Sequence, residues 1–387
     1  MPVRNHAIDG IRGLAALSVL GFHVWLYRDR PPGHPTALLD QIGFALHLGL
    51  VCFFVLSGFL LYRAFARAAL GGPQAEVGTY AIRRAARIVP AYYVAIAGVL
   101  VLFALLGPDN ITPAAGELPL FLVFGQNYSM DTIMQLIPVA WTLCVEVAFY
   151  VVLPFIGLLA LRIGARPRAQ AAMLVGLVVL ATAWNRIVFE QGWNDVVQKA
   201  LPTFMGVFAC GMLAALWIEH RRRRGTPVLT VRATTALALA GIGLVVGHAI
   251  WMETPHDLGG WRGPLRDLPA AAGFALLIGA VAAGRGPVLH GLAWRPLAGA
   301  GVVSYGLYLW HLPILLAVRS AGLLPEPFVP RLLVVLGLSF LAAWLSWRLV
   351  ERPAIAWSHR RVERRSARRT PGPAGSRSLP ASATVDG

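Results

Sequence analysis

Apolar residues run along this chain in blocks of about twenty, the length at which an α-helix crosses the hydrocarbon core of a bilayer. Short polar gaps separate the blocks, and the pattern predicts ten spans, near 8–27, 44–66, 88–107, 137–161, 170–189, 200–218, 233–251, 267–284, 296–318 and 331–350. The largest gap, between 107 and 137, carries a short apolar piece at 118–124 whose length suits a re-entrant turn. The expected fold class is therefore all-α: a polytopic integral membrane helical bundle of about ten transmembrane helices, forming one membrane domain over 1–353. After that the chain is Arg-rich from Arg360 to Arg369, then Pro-, Gly-, Ser- and Ala-rich to Gly387. Such a composition buries no apolar surface, so 354–387 is expected to be an unstructured cytoplasmic tail. Its basic part reads as a stop and anchor signal, or as an attraction to anionic headgroups.

Composition makes lipid the main solvent: with 57% hydrophobic and 13% charged residues over 387 positions, one soluble core could not hide the apolar surface. The net charge of +16, with all but one of 34 basic residues Arg, raises nucleic acid as a partner. Its distribution excludes that reading, because the arginines punctuate alternate gaps instead of lining one soluble face. Arg63 to Arg87, Arg162 to Arg168, Arg221 to Arg224, and Arg285 with Arg295 fall on one side. Asp29 and Asp40, Asp109 and Glu117, Glu190 and Asp195, Glu253 and Asp257, and Glu326 fall on the other. Positive-inside bias then predicts a multi-pass protein of the inner (cytoplasmic) membrane with both termini in the cytoplasm. The first apolar run has no small-residue cleavage site and reads as a retained span. Cys52, Cys144 and Cys210 sit in apolar runs without metal-type spacing, so neither a zinc site nor a disulfide framework is expected.

Ionisable side chains within spans cost several kcal/mol unless they face a cavity or a partner, which makes each one a functional candidate. At about 100° per residue, Arg12 and His23 lie within about 20° of each other on the first span, and Asp9 about 40° from His23. That polar face suits a general base, imidazole being well placed to take a proton from a hydroxyl near neutral pH; a hydrogen-bonded structural His is the alternative. Arg12, about 16 Å along the helix from His23, is too far to touch it and would hold an anionic part of a ligand. Arg83, Arg84 and Arg87 form a forked cationic face at i,i+3 and i,i+4 spacing, suited to phosphate or carboxylate, or simply positive-inside charge. Glu146, deep in an apolar helix with Tyr150 one turn on, is a proton donor, a partner for an arginine, or a structural tie. Ser304, Tyr308 and His311 share another face. Gly43, Gly49 and Ser57-Gly58 allow close helix approach. His47 lies near a span end where headgroup water reaches it, and Arg186, Lys199 and His248 are read as snorkelling groups without a role.

Six segments in order resemble the membrane acyltransferase 3 family, over Ile8 to about Pro353. They are Ile8-Asp9-Gly10-Ile11-Arg12-Gly13-Leu14-Ala15-Ala16-Leu17 with His23, Phe53-Phe54-Val55-Leu56-Ser57-Gly58-Phe59-Leu60-Leu61, Arg84-Ala85-Ala86-Arg87-Ile88-Val89-Pro90, Trp141-Thr142-Leu143 with Glu146, Ser304-Tyr305-Gly306-Leu307-Tyr308-Leu309-Trp310-His311, and Glu351-Arg352-Pro353. The resemblance implies a roughly ten-span enzyme that moves an acyl group from a cytosolic thioester to a hydroxyl. His23 is then the essential catalytic base and Glu146 a functional acid; Asp9, on the His23 face of the first span, is counted as catalytic with them. Arg12, Arg84 and Arg87, together with Tyr308 and His311, are assigned to donor or acceptor binding. Acyl-coenzyme A is the expected co-substrate, with no bound cofactor and no metal. Many relatives carry a second Glu after the position of Glu146, where this chain has Val147, so a paired-carboxylate role is not expected.

Within that family, Ala7 to Arg12 and Val24 to Tyr27 are most similar to macrolide O-acyltransferases, which implies a short acyl group, acetyl or propionyl, placed on a macrolide antibiotic during its biosynthesis. The alternative is O-acetylation of a cell-envelope sugar or lipid. A transporter is the rival from another class, since ten spans with intramembrane His, Glu and Arg also suit a substrate pathway.

Overall fold

The computed structural model describes residues 5–28, 38–108, 111–253 and 260–367. Asp29, Asp109, Asp257 and the tail from Arg368 lie outside the described residues. In chain order the helices are α1 (His6–Leu26), α2 (Leu38–Ala45), α3 (Leu48–Ala69), α4 (Val77–Leu106), α5 (Leu118–Leu122), α6 (Trp141–Ile163), α7 (Pro167–Gln191), α8 (Asp195–Gln198) and α9 (Leu201–Arg223). They continue as α10 (Val231–Glu253), α11 (Arg262–Leu265), α12 (Leu268–Ala283), α13 (Pro287–Leu292), α14 (Arg295–Val302), α15 (Ser304–Ser320), α16 (Phe328–Ser346), a π turn at Trp347–Glu351, and α17 (Arg352–Ala367). Among the described residues 9 helices are long and apolar enough to cross a membrane, and α14 with α15, bent by 75°, makes ten if the pair is one broken span and nine if it is a re-entrant loop. Nine of the ten apolar blocks thus lie in span-length helices and the other in the bent pair, and all the regular structure described is helical.

Two apolar cores flank a polar seam. One joins α3, α6, α9 and α12 around Phe59, Tyr62, Phe149, Phe208 and Met212; the other joins the distal half of α1 to α4 and α15 around Tyr92, Leu136 and Leu309. The backbones of α3 and α9 cross at two glycines: a Cβ on Gly58 would strike the Phe208 carbonyl, and one on Gly211 the Val55 carbonyl. Without hydrophobic drive between helices in lipid, such small-residue crossings supply the close packing. Glu219 of α9, 4% exposed, locks the end of the same pair by accepting from Arg63 Nε at 2.8 Å and Arg67 Nε at 3.0 Å. Outward-facing Val101, Leu105, Phe155 and Leu180 are exposed, as lipid-facing side chains are.

The helix of the third span begins at Val77, so the Arg83, Arg84 and Arg87 group lies along the first half of a 30-residue helix. One expectation needs correction. The basic stretch beyond Pro353 is helical to Ala367: α17 continues α16 through the π turn and packs against α4, with Ser358 buried and Ala354, Ile355, Ala356 and Val362 half-buried. These apolar side chains give the segment something to bury despite its charge. The piece at 118–124 is a short helix, with Phe121 buried and Phe124 stacked on Tyr92 at 4.5 Å.

Candidate active site

Two cavities open along the seam, the narrower between α1, α3, α4, α6 and α15 and the wider between α1, α7, α9 and α11. The narrower, about 150 Å³, is lined by Arg12, Ser57, Arg84, Arg87, Glu146 and Ser304, among others. Helical spacing brings the cations together: Arg84 and Arg87 are one turn apart on α4, and Arg12 enters from α1. Arg12 Nη2 donates to Ser304 Oγ at 3.2 Å, and the charges of Arg87, Asp9, Glu146 and Arg84 all act on its guanidinium. Ser57 Oγ donates to Glu146 Oε1, and Arg84 lies 5.9 Å over the Tyr150 ring. The bend between α14 and α15 puts the first turn of α15 on this wall, through Ser304 and Tyr305. The α15 N-terminus with Arg12, Arg84 and Arg87 gives this cavity a cationic wall that suits an anion, its charge partly offset by Glu146 in the lining and by Asp9 and Glu351 behind it.

The wider cavity, about 740 Å³, is lined by His23, Phe44, His47, Trp141, Phe204, Arg266 and Asp267, among others. Leu50, Thr142 and Tyr308 line both cavities and form the partition between them. Tyr308 donates to the Val139 carbonyl at 2.9 Å and shares a hydrogen bond with Thr142 Oγ1.

His23 is held by a chain of ring nitrogens. His311, 1% exposed, has Nδ1 2.9 Å from the Leu307 carbonyl, so that nitrogen carries the proton and Nε2 is left as an acceptor. His23 Nδ1 stands 3.1 Å from His311 Nε2 and 2.8 Å from the Val19 carbonyl, which makes it the N–H donor. The network therefore assigns the lone pair of His23 to Nε2, the nitrogen a general base uses. An imidazole stands where a base usually has a carboxylate.

Arg12, Arg84, Arg87, Glu146 and Tyr308 are gathered as the sequence reading expected. Asp9 is not beside His23: it lies about four turns, some 21 Å, back along α1, its backbone carbonyl packed on Gly301. Angular position places two residues on a face without placing them together. Glu146 likewise faces the arginines, not His23, and His311 lines neither cavity but holds His23. Arg186 and Lys199 pair with Glu190 and Asp195. His248, read as snorkelling, is 3% exposed inside the protein, with Nε2 3.7 Å from Asp267 Oδ1. Sequence reading missed Ser57, Ser304 and Glu351 as site residues although all three lie in quoted segments; Glu351 is 3% exposed in a π turn, where the charges of Arg87 and Arg12 reach it. It missed Asp267 because no segment marks it.

No solved structure matches the chain. Among curated proteins it is 25% identical over 361 residues to the peptidoglycan O-acetyltransferase OatA of Listeria monocytogenes, covering 90% of this chain and 55% of that protein. It is 24% identical over 357 residues to the O-acetyltransferase OatA of Staphylococcus aureus, covering 89% of this chain and 57% of that one. The chain thus spans a little over half the length of these relatives. Its match to the acyltransferase domain of the acyltransferase 3 family runs over residues 5–348, nearly all of the membrane bundle, and the chain belongs to that family.

Proposed function

We propose that the chain is a membrane-embedded O-acyltransferase that carries a short acyl group from acyl-coenzyme A in the narrow cavity to a hydroxyl of a cell-envelope glycan in the wide one. The observation that carries this reading is the partition: an anion-binding cavity and a His-lined cavity meet at Leu50, Thr142 and Tyr308. The donor's phosphates sit among Arg12, Arg84 and Arg87, and its extended arm, comparable in length to the ~16 Å between Arg12 and His23, passes the partition. His23 Nε2 takes the proton of the acceptor hydroxyl, the oxygen attacks the thioester carbonyl, the C–S bond breaks, and the proton leaves with the thiol. The names of the relatives support an envelope glycan over a macrolide as acceptor. Positive-inside charge supports placing the narrow cavity on the cytoplasmic side and the wide one outside.

Sidedness tests this directly. Sealed inverted vesicles given acyl-coenzyme A in the bath and an oligosaccharide acceptor trapped inside should form acylated product, whereas right-side-out vesicles given both outside should not. Equal product from both preparations would refute the two-sided arrangement.

A further inference from the structure

On the side that positive-inside bias gives to the cytoplasm, α7 and α9 form a groove that shares no lining residue with the narrow or the wide cavity. The two helices pack closely farther along, where a Cβ on Gly206 would come within 3.3 Å of the Ala181 Cβ, and leave about 670 Å³ between their basic ends. On α9, Leu213, Trp217, His220 and Arg224 line the groove at three- and four-residue steps, the spacing of one helix face. Arg168 and Ala171 line the α7 wall, with Arg166 at the start of that helix. The groove is therefore graded along its length: Arg224 stands some 16 Å beyond Leu213 on the helix axis. Trp217 is partly exposed, as are Val175 and Val179 on α7, so the apolar end opens to lipid.

The cations at the other end are uncommitted. Among the described residues the guanidiniums of Arg166, Arg168 and Arg224 have no hydrogen-bond or ion-pair partner, and no carboxylate lines the groove. Their neighbours differ: Arg63, Arg67 and Arg222 converge on buried Glu219, and Arg221 donates to the Pro227 carbonyl at 2.6 Å. The turn that carries Arg166 is fixed, because buried Gln170 donates from Nε2 to the Gly164 carbonyl at 2.6 Å. Membrane topology asks only for positive charge near a span end. It does not ask for three unpaired guanidiniums around one groove whose far end is apolar.

We propose that this groove binds an anionic glycerophospholipid, its phosphodiester held by Arg166, Arg168 and Arg224 and an acyl chain laid along Leu213 and Trp217. Basic pockets between helices on the cytoplasmic side recognise such headgroups, and guanidinium matches phosphate oxygens through paired hydrogen bonds. A soluble phosphate compound would leave the apolar end without a partner.

Native mass spectrometry of the full-length protein in neutral detergent measures the affinity for the first phosphatidylglycerol bound, against phosphatidylcholine with the same chains. The wild type should hold phosphatidylglycerol about tenfold more tightly or better. Arg166→Gln/Arg168→Gln/Arg224→Gln should weaken phosphatidylglycerol by about 10- to 100-fold, at roughly fivefold for each basic residue lost, and leave phosphatidylcholine within about twofold. Arg360→Gln/Arg361→Gln/Arg364→Gln, on exposed positions of α17, removes the same charge and should leave the affinity within about twofold. Should the groove variant fail to accumulate, Arg224→Gln alone should weaken phosphatidylglycerol about fivefold. Equal affinity for the two lipids, wild-type affinity in the groove variants, or an equal loss in the α17 variant would overturn the site. So would displacement of the lipid by acyl-coenzyme A, which would give the groove to a soluble phosphate ligand.

Discussion

The narrow and wide cavities share Leu50, Thr142 and Tyr308 but are built by different means. The narrow one takes its polar side chains from short, dense segments: Arg12 from the opening span, Ser57 from α3, Arg84 and Arg87 from one turn of α4, Glu146 from α6 and Ser304 from the start of α15. The wide one draws on parts far apart in the chain, where His47, Asn185 and the adjacent Arg266 and Asp267 stand among apolar neighbours. Holding a multiply charged donor requires several cations fixed relative to one another, and helical spacing does that within a few residues. A concave surface drawn from so many separate segments forms only once the bundle is assembled.

The largest effect expected falls on the wide side. His23→Ala should lower turnover by roughly 10²- to 10⁴-fold with the protein still inserted and monodisperse, since the base acts on the hydroxyl proton itself; near-normal turnover in purified membranes would break the division of labour. Next comes the narrow side. Replacing Arg84 and Arg87 by Gln should raise the donor KM by about 10- to 100-fold with a much smaller change for acceptor, as loss of charge-assisted hydrogen bonds dictates. Equal effects on both KM values would show that the cavities are not separate in function.

A smaller effect, about tenfold on kcat, is expected for His311→Phe, which leaves the Nδ1–H of His23 without its ring partner. His311→Gln should recover much of it, because the amide oxygen can accept that proton; a Gln variant no better than Phe would reduce His311 to packing. The smallest belongs to the partition. Tyr308→Phe removes the hydrogen bonds to Val139 and Thr142 and should cost about threefold in turnover, at roughly 0.5–1.5 kcal/mol for a neutral hydrogen bond. A change confined to one substrate's KM would assign the partition to that side alone.

By itself the sequence determined the ten apolar blocks, their helical character and most of the narrow cavity. Hydrocarbon thickness sets block length, lipid forbids unsatisfied backbone, and a charge inside a block stands out against its neighbours. Tertiary structure alone decided which polar groups meet. Helical periodicity put Asp9, Arg12 and His23 on one face, but axial distance separates Asp9 from His23, and the partner of His23 came from α15, 288 positions away in the chain. Glu146 and His23 fell on opposite sides of a partition that depends on how α1, α3, α6 and α15 pack. Asp267 and His248 looked like ordinary span-end residues until α10 and α12 brought them together, because the worth of a polar group at a span end is set by what the neighbouring helices place against it.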